Sequence, residues 1–152
     1  MAVVALAAVA ALAGCKDPVK EEAQRVEQDR AILVDILAAD MKAESALKTV
    51  GEAERQQKDE EAAALLETSV MPKADAALAF AVTKQLATPW GKARKEELIA
   101  VMTDRKAELP RYVTALRAHD WDGQLASVEK QIAIETRAMK AAEAIQNGAD
   151  RR

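Results

Sequence analysis

The chain has 152 residues and a net charge of −3 at neutral pH. Hydrophobic residues make up 50% of it, charged residues of both signs 31%, and aromatic residues only 3%. Because it lacks a basic surface and aromatic side chains that could stack on bases, we expect no nucleic-acid partner. Its length is that of one domain with a real core.

The chain opens with an apolar run, Ala2 to Gly14, that contains no charged or polar residue. A helix that spans a bilayer needs about 20 such residues, so this run instead suits the apolar core of a secretory signal. The residues Leu12-Ala13-Gly14-Cys15 resemble the lipobox of bacterial lipoproteins, in which a leucine and two small residues precede the cysteine.

This resemblance implies that residues 1–14 are a lipoprotein signal peptide and that residues 15–152 form the mature domain. In such lipoproteins the cysteine sulfur receives a diacylglyceryl group, a peptidase cuts before the cysteine, and the new amine is acylated, often with palmitate. Two or three chains anchor a protein firmly to a membrane. Lys16, rather than Asp, follows Cys15, and in enterobacteria this favours the outer over the inner membrane. We expect a lipid-anchored protein facing the periplasm.

Two other interpretations of Cys15 stay open at this point. Ala11-Leu12-Ala13 also fits the A-x-A site of the ordinary signal peptidase, whose cut would leave a free thiol. The cysteine could also be a buried structural residue. As the only cysteine, it cannot form an internal disulfide, so lipidation is the use we favour.

Four helices are predicted after this segment, because the chain is rich in strong helix formers and lacks alternating strand patterns. The first begins at Asp17-Pro18, a cap followed by proline, and ends near Gly51. The second opens with the polar stretch EAERQQKDEE, residues 52–61.

The third predicted helix begins at Thr88-Pro89, and the fourth runs from Asp120 to Asn147-Gly148, a typical end. Apolar residues at three- and four-residue steps form the predicted core face of each helix. In the first helix this face begins with Val19, and in the fourth it comprises Leu125, Val128, Ile132, Ile134, Met139 and Ile145.

Similar helix lengths and short turns favour an all-α, up-down-up-down antiparallel four-helix bundle with coiled-coil-like packing. The alternative is a pair of long helical hairpins that need a partner. Pro72 and Pro110 lie inside the second and third helices and predict a kink or split in each. Such kinks follow the curvature of a core, or they open a small-ligand pocket between these helices.

The residues that usually carry catalysis or metal binding are largely missing. His119 is the only histidine and stands at a predicted turn, where a solvated or capping role is expected. One histidine and one cysteine do not make a zinc site, and no phosphate-binding loop is present. Bundle geometry alone would allow a haem on His119 and a methionine, but we expect no cofactor, no metal and no enzymatic activity.

Trp90 and Trp121 each follow a predicted helix start. We expect each to cover one end of the core or, alternatively, to contact a partner or the membrane, since tryptophan is enriched at binding hot spots. The sequence thus favours a membrane-tethered lipoprotein whose helical domain binds or spaces a protein partner in the envelope. The alternative is a small-ligand binding or sensory bundle.

Overall fold

The computed structural model describes residues 17–148, which form an all-α fold without strands. The predicted signal segment and Cys15 lie outside these residues. The elements are α1 (Pro18–Arg55), α2 (Asp59–Leu65), a π-helical turn (Leu66–Val70), α3 (Met71–Thr83), α4 (Pro89–Arg117) and α5 (Trp121–Gln146). Helix α2, the π-helical turn and α3 are contiguous and together form the second helix, so the number of helices is the predicted four.

Three helix starts are confirmed. The side chains of Asp17, Thr88 and Asp120 each accept a hydrogen bond from a backbone N–H two or three residues ahead, at 2.9–3.2 Å. These bonds satisfy donors that the first turn of a helix leaves free. The end of α5 is also confirmed, since Asn147 caps it and Gly148 has φ +67°, the left-handed conformation common after a helix.

The end of the first helix and the start of the second differ from the prediction. Gly51 does not end α1, which continues to Arg55. A glycine inside a helix costs about 1 kcal/mol, and the packing of the buried neighbours Val50 and Ala53 offsets this. The turn comes at 56–58, so the stretch EAERQQKDEE belongs largely to the end of α1 and to this turn.

The two prolines inside the helices act differently. Pro72 is the second residue after the π-helical turn, and the N–H of Met71 between them bonds to the carbonyl of Leu66. A wider turn at this point suits a residue that has no N–H to donate. Helix α4 continues across Pro110 without a break. The predicted distortion is therefore found before Pro72, whereas a split at Pro110 is not.

A buried aspartate on α1 fixes the loop between α3 and α4. The Asp29 carboxylate accepts hydrogen bonds from the N–H groups of Ala87 (2.8 Å) and Thr88 (2.7 Å) and from the Thr88 hydroxyl (2.6 Å). Burial acts to raise the pKa of Asp29, but these bonds outweigh it and hold the pKa below its ordinary value. The start of α4 is thereby held against α1.

Side-chain pairs show which parts of the helices meet. Asp29 and Thr88 join the first parts of α1 and α4, and Glu54 and Tyr112 join the last parts of the same two helices. Further pairs that join α4 to α3, to the π-helical turn and to α5 are Lys106–Asp75, Arg117–Glu67, Glu108–Ser127 and Asp104–Arg137.

The core contains two large apolar clusters, and a buried ion pair lies between their residues in the sequences of α1 and α4. One cluster joins the second half of α1 to α2 and the later part of α4, and the other joins earlier parts of α1 and α4 to α3 and the end of α5. Asp40 and Arg105 lie between these sets on α1 and α4 and form a salt bridge, with side-chain exposures of 6% and 2%. The Val19 side chain, predicted to lie in the core, is 75% exposed.

Candidate functional site

Helix α5 directs a row of large apolar side chains to solvent, which we call the α5 seam: Trp121, Leu125, Val128, Ile132 and Met139. Trp121 is 75% exposed and Ile132 58%, while Val128 is partly buried. The steps of three, four and seven residues form the 3.5-residue repeat of a helix that packs lengthwise on another helix. A core position was the sequence-based prediction for Leu125, Ile132 and Met139, and that prediction is wrong.

The face of α5 that packs on α4 is small or polar in large part. Ser127 donates a hydrogen bond to Glu108 Oε1 at 3.0 Å, and Lys130 Nζ lies 3.3 Å from the other carboxylate oxygen. Gln124 is also buried. A surface helix usually turns its apolar side chains inward and its polar ones outward. Helix α5 departs from this arrangement in its first half, where Gln124 and Ser127 are buried and Leu125 is exposed.

A cavity of about 220 Å³ lies between α1, α4 and α5, beside the seam. A wider hollow reaches from it towards Trp121, and the two share Gly51, Glu54 and Val128. Together they form what we call the α1/α5 groove. The lining of the cavity includes neither Pro72 nor Pro110, so it is not the pocket predicted between the second and third helices.

The floor of the groove holds buried hydrogen-bond donors without acceptors. Arg105 is 1% exposed and bonds to Asp40 through a terminal nitrogen, but its Nε has no partner among the described residues. The Nε2 atom of Gln131, on α5, is also buried and has no hydrogen-bond partner among the described residues. A buried donor left unpaired costs about 1–3 kcal/mol. An acceptor atom brought by a ligand would lower this cost.

Two carboxyl groups meet across the groove. Glu44 of α1 and Glu135 of α5 both line the cavity and lie close enough to interact. Burial and then the charge of Glu135 raise the pKa of Glu44 above its usual value, although Arg105 acts in the opposite direction. Since Asp40 already neutralises Arg105, the site has an excess of acidic groups. An ammonium or guanidinium group is the ligand that such carboxylates bind best.

The walls of the groove are held by two further polar pairs. Tyr112 donates a hydrogen bond to Glu54, and burial together with this bond raises the pKa of Tyr112, which keeps the phenol protonated. Near Trp121, His119 Nδ1 lies 2.7 Å from Asp59 Oδ2. The His119 side chain is 71% exposed in a turn, which confirms the solvated position predicted for it.

Trp90 and Trp121, for which the sequence predicts a core or contact role, have different surroundings. Trp90 is partly buried against the apolar cluster that contains α3, which confirms that it covers part of the core. Trp121 does not cover the core, because it is 75% exposed, and it lines the wide end of the groove instead. They lie at opposite ends of α4 and do not form one site. Cys15 lies outside the described residues, so its lipidation stays a prediction.

Sequence reasoning missed the charged residues of the groove floor. Asp40 continues the three- and four-residue series of buried positions in α1, and Arg105 does so in α4. A charge at a position where the pattern requires an apolar residue was the signal that could have identified both. No comparable signal marks Glu44 or Glu135, because their proximity depends on how α5 packs on the rest of the domain.

No protein-family model matches the chain, and no similar protein was found among curated proteins or solved structures. Over residues 17–148, no helix is long and apolar enough to cross a membrane. The same residues contain no group of three or more histidine, cysteine, aspartate or glutamate side chains that could hold a metal ion. The function is therefore inferred from the α5 seam and the groove beside it.

Proposed function

We propose that this protein is a lipid-anchored lipoprotein of the bacterial cell envelope whose non-catalytic helical domain binds a protein partner. The observation that carries the proposal is the α5 seam, in which large apolar side chains meet water while Gln124 and Ser127 of the same helix are buried. Apolar surface gains roughly 25 cal/mol per Å² when it leaves water. Contiguous exposed apolar surface is typical of protein–protein interaction sites.

The lipobox supplies the anchor in this proposal. Only Lys16 separates Cys15 from Asp17, the cap of α1, so acyl chains on Cys15 would hold the domain close to the membrane surface. Two or three chains give stable attachment, at about 0.8 kcal/mol per buried methylene. We place the protein on the periplasmic side of the envelope and favour the outer membrane.

The up-down-up-down arrangement of the bundle is also part of the proposal. The side-chain pairs of α4 with α1, with the second helix and with α5 support it. In this arrangement the 38 residues of α1 extend about 57 Å from the anchor. The turn at 56–58 and Trp121 would then lie far from the membrane, where a partner can reach the groove.

The anchor is tested by the intact mass of the protein isolated from cells. We expect a diacylglyceryl group on Cys15, an acylated amine and loss of residues 1–14. We also expect the wild type in the detergent phase of a Triton X-114 extraction, and Cys15→Ser in the aqueous phase or retaining residues 1–14. An unmodified thiol at Cys15 would contradict the anchor.

The partner is tested by crosslinking and mass spectrometry in living cells. The expected result is a reproducible set of crosslinks between this chain and one other envelope protein, lost when Cys15→Ser removes the protein from the membrane. Crosslinks only within the chain, at a protein level where known envelope complexes give intermolecular ones, would contradict a binding role.

A small-ligand binding or sensory role is the second candidate, favoured by the unpaired donors of Arg105 and Gln131 in the cavity. Its volume of about 220 Å³ exceeds the roughly 150 Å³ of an engineered cavity that binds benzene. A screen of small hydroxylated amines by melting temperature tests it. The role requires a compound whose stabilising effect disappears in Gln131→Ala, and no such compound is expected for a pure protein-binding domain.

A further inference from the structure

The spacing of the α5 seam selects a helix as the element that covers it. Seam residues recur every 3.5 positions from Trp121 to Met139, over about 27 Å. An extended strand has a two-residue repeat and cannot follow such a row, whereas an α-helix packed at a small angle can. One position of the repeat, Glu135, is charged. A polar residue in such a seam restricts which helix can pair with it and in which register.

The surface beside the seam is acidic. The positions that form the outer flank of the 3.5-residue repeat are Asp122, Glu129, Thr136 and Glu143, all exposed and none of them basic. On the groove side, Glu44 and Glu135 line the cavity together, and neither forms a salt bridge among the described residues. Lys48 and Arg55 are the basic residues that line the groove on its α1 side.

We infer that the α1/α5 groove receives an amphipathic helix of the partner, with an apolar face on the α5 seam, basic residues on its flanks and one Lys or Arg side chain between Glu44 and Glu135. This inference rests on the proposed function and specifies the chemistry of the partner. The apolar contact supplies affinity, and the opposite charges supply register and specificity.

Two other occupants fit the observed charges less well. A second copy of α5 packed antiparallel on the seam would place one acidic flank, with Asp122, Glu129 and Glu143, against the same flank of its mate. A membrane rich in anionic lipids would be repelled by the same residues. A basic amphipathic helix meets neither difficulty.

The charge preference is tested with three synthetic helices of three heptads, identical in their leucine seam and flanked by Lys, Gln or Glu. The lipidated mature protein, residues 15–152, is held in phosphatidylcholine nanodiscs, and empty nanodiscs correct for lipid binding. We expect the Lys-flanked helix to bind at least about tenfold more tightly than the Glu-flanked one, a difference of about 1.4 kcal/mol. Equal affinity for all three helices would overturn the inference.

Variants locate the binding surface. Ile132→Asp places a charge in the seam, and we expect it to weaken the Lys-flanked helix at least tenfold. The matched control is Val82→Asp on α3, since Val82 is 55% exposed and Ile132 58%, and it should leave the affinity unchanged. Glu135→Gln should weaken the Lys-flanked helix about threefold to tenfold and the Gln-flanked helix little. Because these side chains are exposed, circular dichroism should show intact folding; undiminished binding by Ile132→Asp sinks the inference.

Photo-crosslinking in cells separates this inference from the proposed function. A crosslinker at Ile132 should capture an envelope protein through a segment with a basic amphipathic helix, and one at Val82 should not. Capture only at Val82 would overturn the groove while leaving an envelope partner in place. A photo-crosslink from position 132 to a second copy of this chain, or to lipid, would also contradict the inference that the groove binds a partner helix. An unlipidated, uncrosslinked protein would refute the proposed function itself.

Discussion

At the scale of single residues, this domain places charge where the helix pattern requires apolar side chains, and each such charge has a specific partner. Asp29 is bound by the loop before α4, and Asp40 is paired with Arg105. Buried charges persist only with such partners, because desolvation otherwise costs several kcal/mol. Glu44 differs, since burial and the nearby charge of Glu135 raise its pKa.

Gly91 and Gly51 should respond oppositely to alanine. A Cβ at position 91 would lie 2.2 Å from Asp29 Oδ2 and 2.9 Å from its Cβ, so Gly91→Ala should displace the clamped carboxylate and destabilise the fold by about 1–3 kcal/mol. At Gly51 the nearest atom, on Arg55, is 3.9 Å away, so Gly51→Ala should stabilise by about 0.5–1 kcal/mol. Urea unfolding measures both. Equal changes in the free energy of unfolding would mean that the Asp29 carboxylate moves aside at little cost.

The stability of Glu44→Gln should depend on pH. The folded pKa of Glu44 is raised above its ordinary value, so the stability it contributes is present at low pH and is lost as pH rises through the folded pKa. Glutamine is uncharged and so avoids the repulsion from the Glu135 charge. We therefore expect Glu44→Gln to be more stable than the wild type at pH 7 and to lose this advantage near pH 4, as measured by urea unfolding across that range.

Asp29→Asn should show the opposite dependence of stability on pH when it is measured by the same urea unfolding. The folded pKa of Asp29 lies below 3.8, so its contribution is present above that pH and is lost as pH falls through the folded value. The asparagine variant should be less stable than the wild type at pH 7, and the gap should narrow towards pH 3. If the stability of the two variants relative to the wild type changed with pH in the same direction, the pKa of Glu44 and the pKa of Asp29 would not be shifted in opposite directions.

At the scale of helices, α4 and α5 depart most from simple patterns. Helix α4 keeps Pro110 in its interior without a break, although proline removes a backbone hydrogen bond and crowds the preceding turn. Helix α5 buries Gln124 and Ser127 and exposes Leu125 and Ile132. The first departure weakens a helix, whereas the second leaves an apolar row of α5 exposed to solvent.

Pro110→Ala should increase the free energy of unfolding by about 2 kcal/mol. Alanine is about 3 kcal/mol more favourable than proline inside a helix, and the greater freedom of the unfolded chain offsets about 0.4–1 kcal/mol of the gain. The control is Pro89→Ala, at the first position of α4, where proline is favoured and little change is expected. Urea unfolding checks both, and a less stable Pro110→Ala would show that the ring packs productively.

At the scale of the whole molecule, the Asp40–Arg105 pair joins α1 to α4 between two apolar clusters. Ile36 and Ala43 precede and follow Asp40 in the buried series of α1, and a one-turn slip of α4 would place an apolar residue opposite this carboxylate. The pair thus favours a single register between the two helices, as a polar residue in a coiled-coil seam does.

Breaking this pair should cost far more than replacing it. Arg105→Met leaves Asp40 buried without a cation and should destabilise the fold by about 3–5 kcal/mol, as measured by urea unfolding. The double variant Asp40→Leu with Arg105→Met should recover most of that loss or exceed wild-type stability. A double variant as unstable as the single one would mean that the apolar side chains do not fit the space.

Local features of the chain were readable from the sequence by itself. Helix starts at Asp17, Thr88 and Asp120 depend on a side chain and a backbone N–H two or three residues away, so neighbouring residues suffice to predict them. The same holds for the all-α class, which follows from helix propensity. Gly51 was misread because packing by its buried neighbours overrides its local preference.

Burial was decided by the tertiary structure. Helix α5 has two apolar rows, one with Ile134 and Ile145 and one with Leu125 and Ile132, and both have helical spacing. Only the packing of α5 on α4, where Ser127 meets Glu108, determines which row is inside. The exposed seam and the groove beside it are therefore products of helix packing, since burial depends on neighbours distant in the chain.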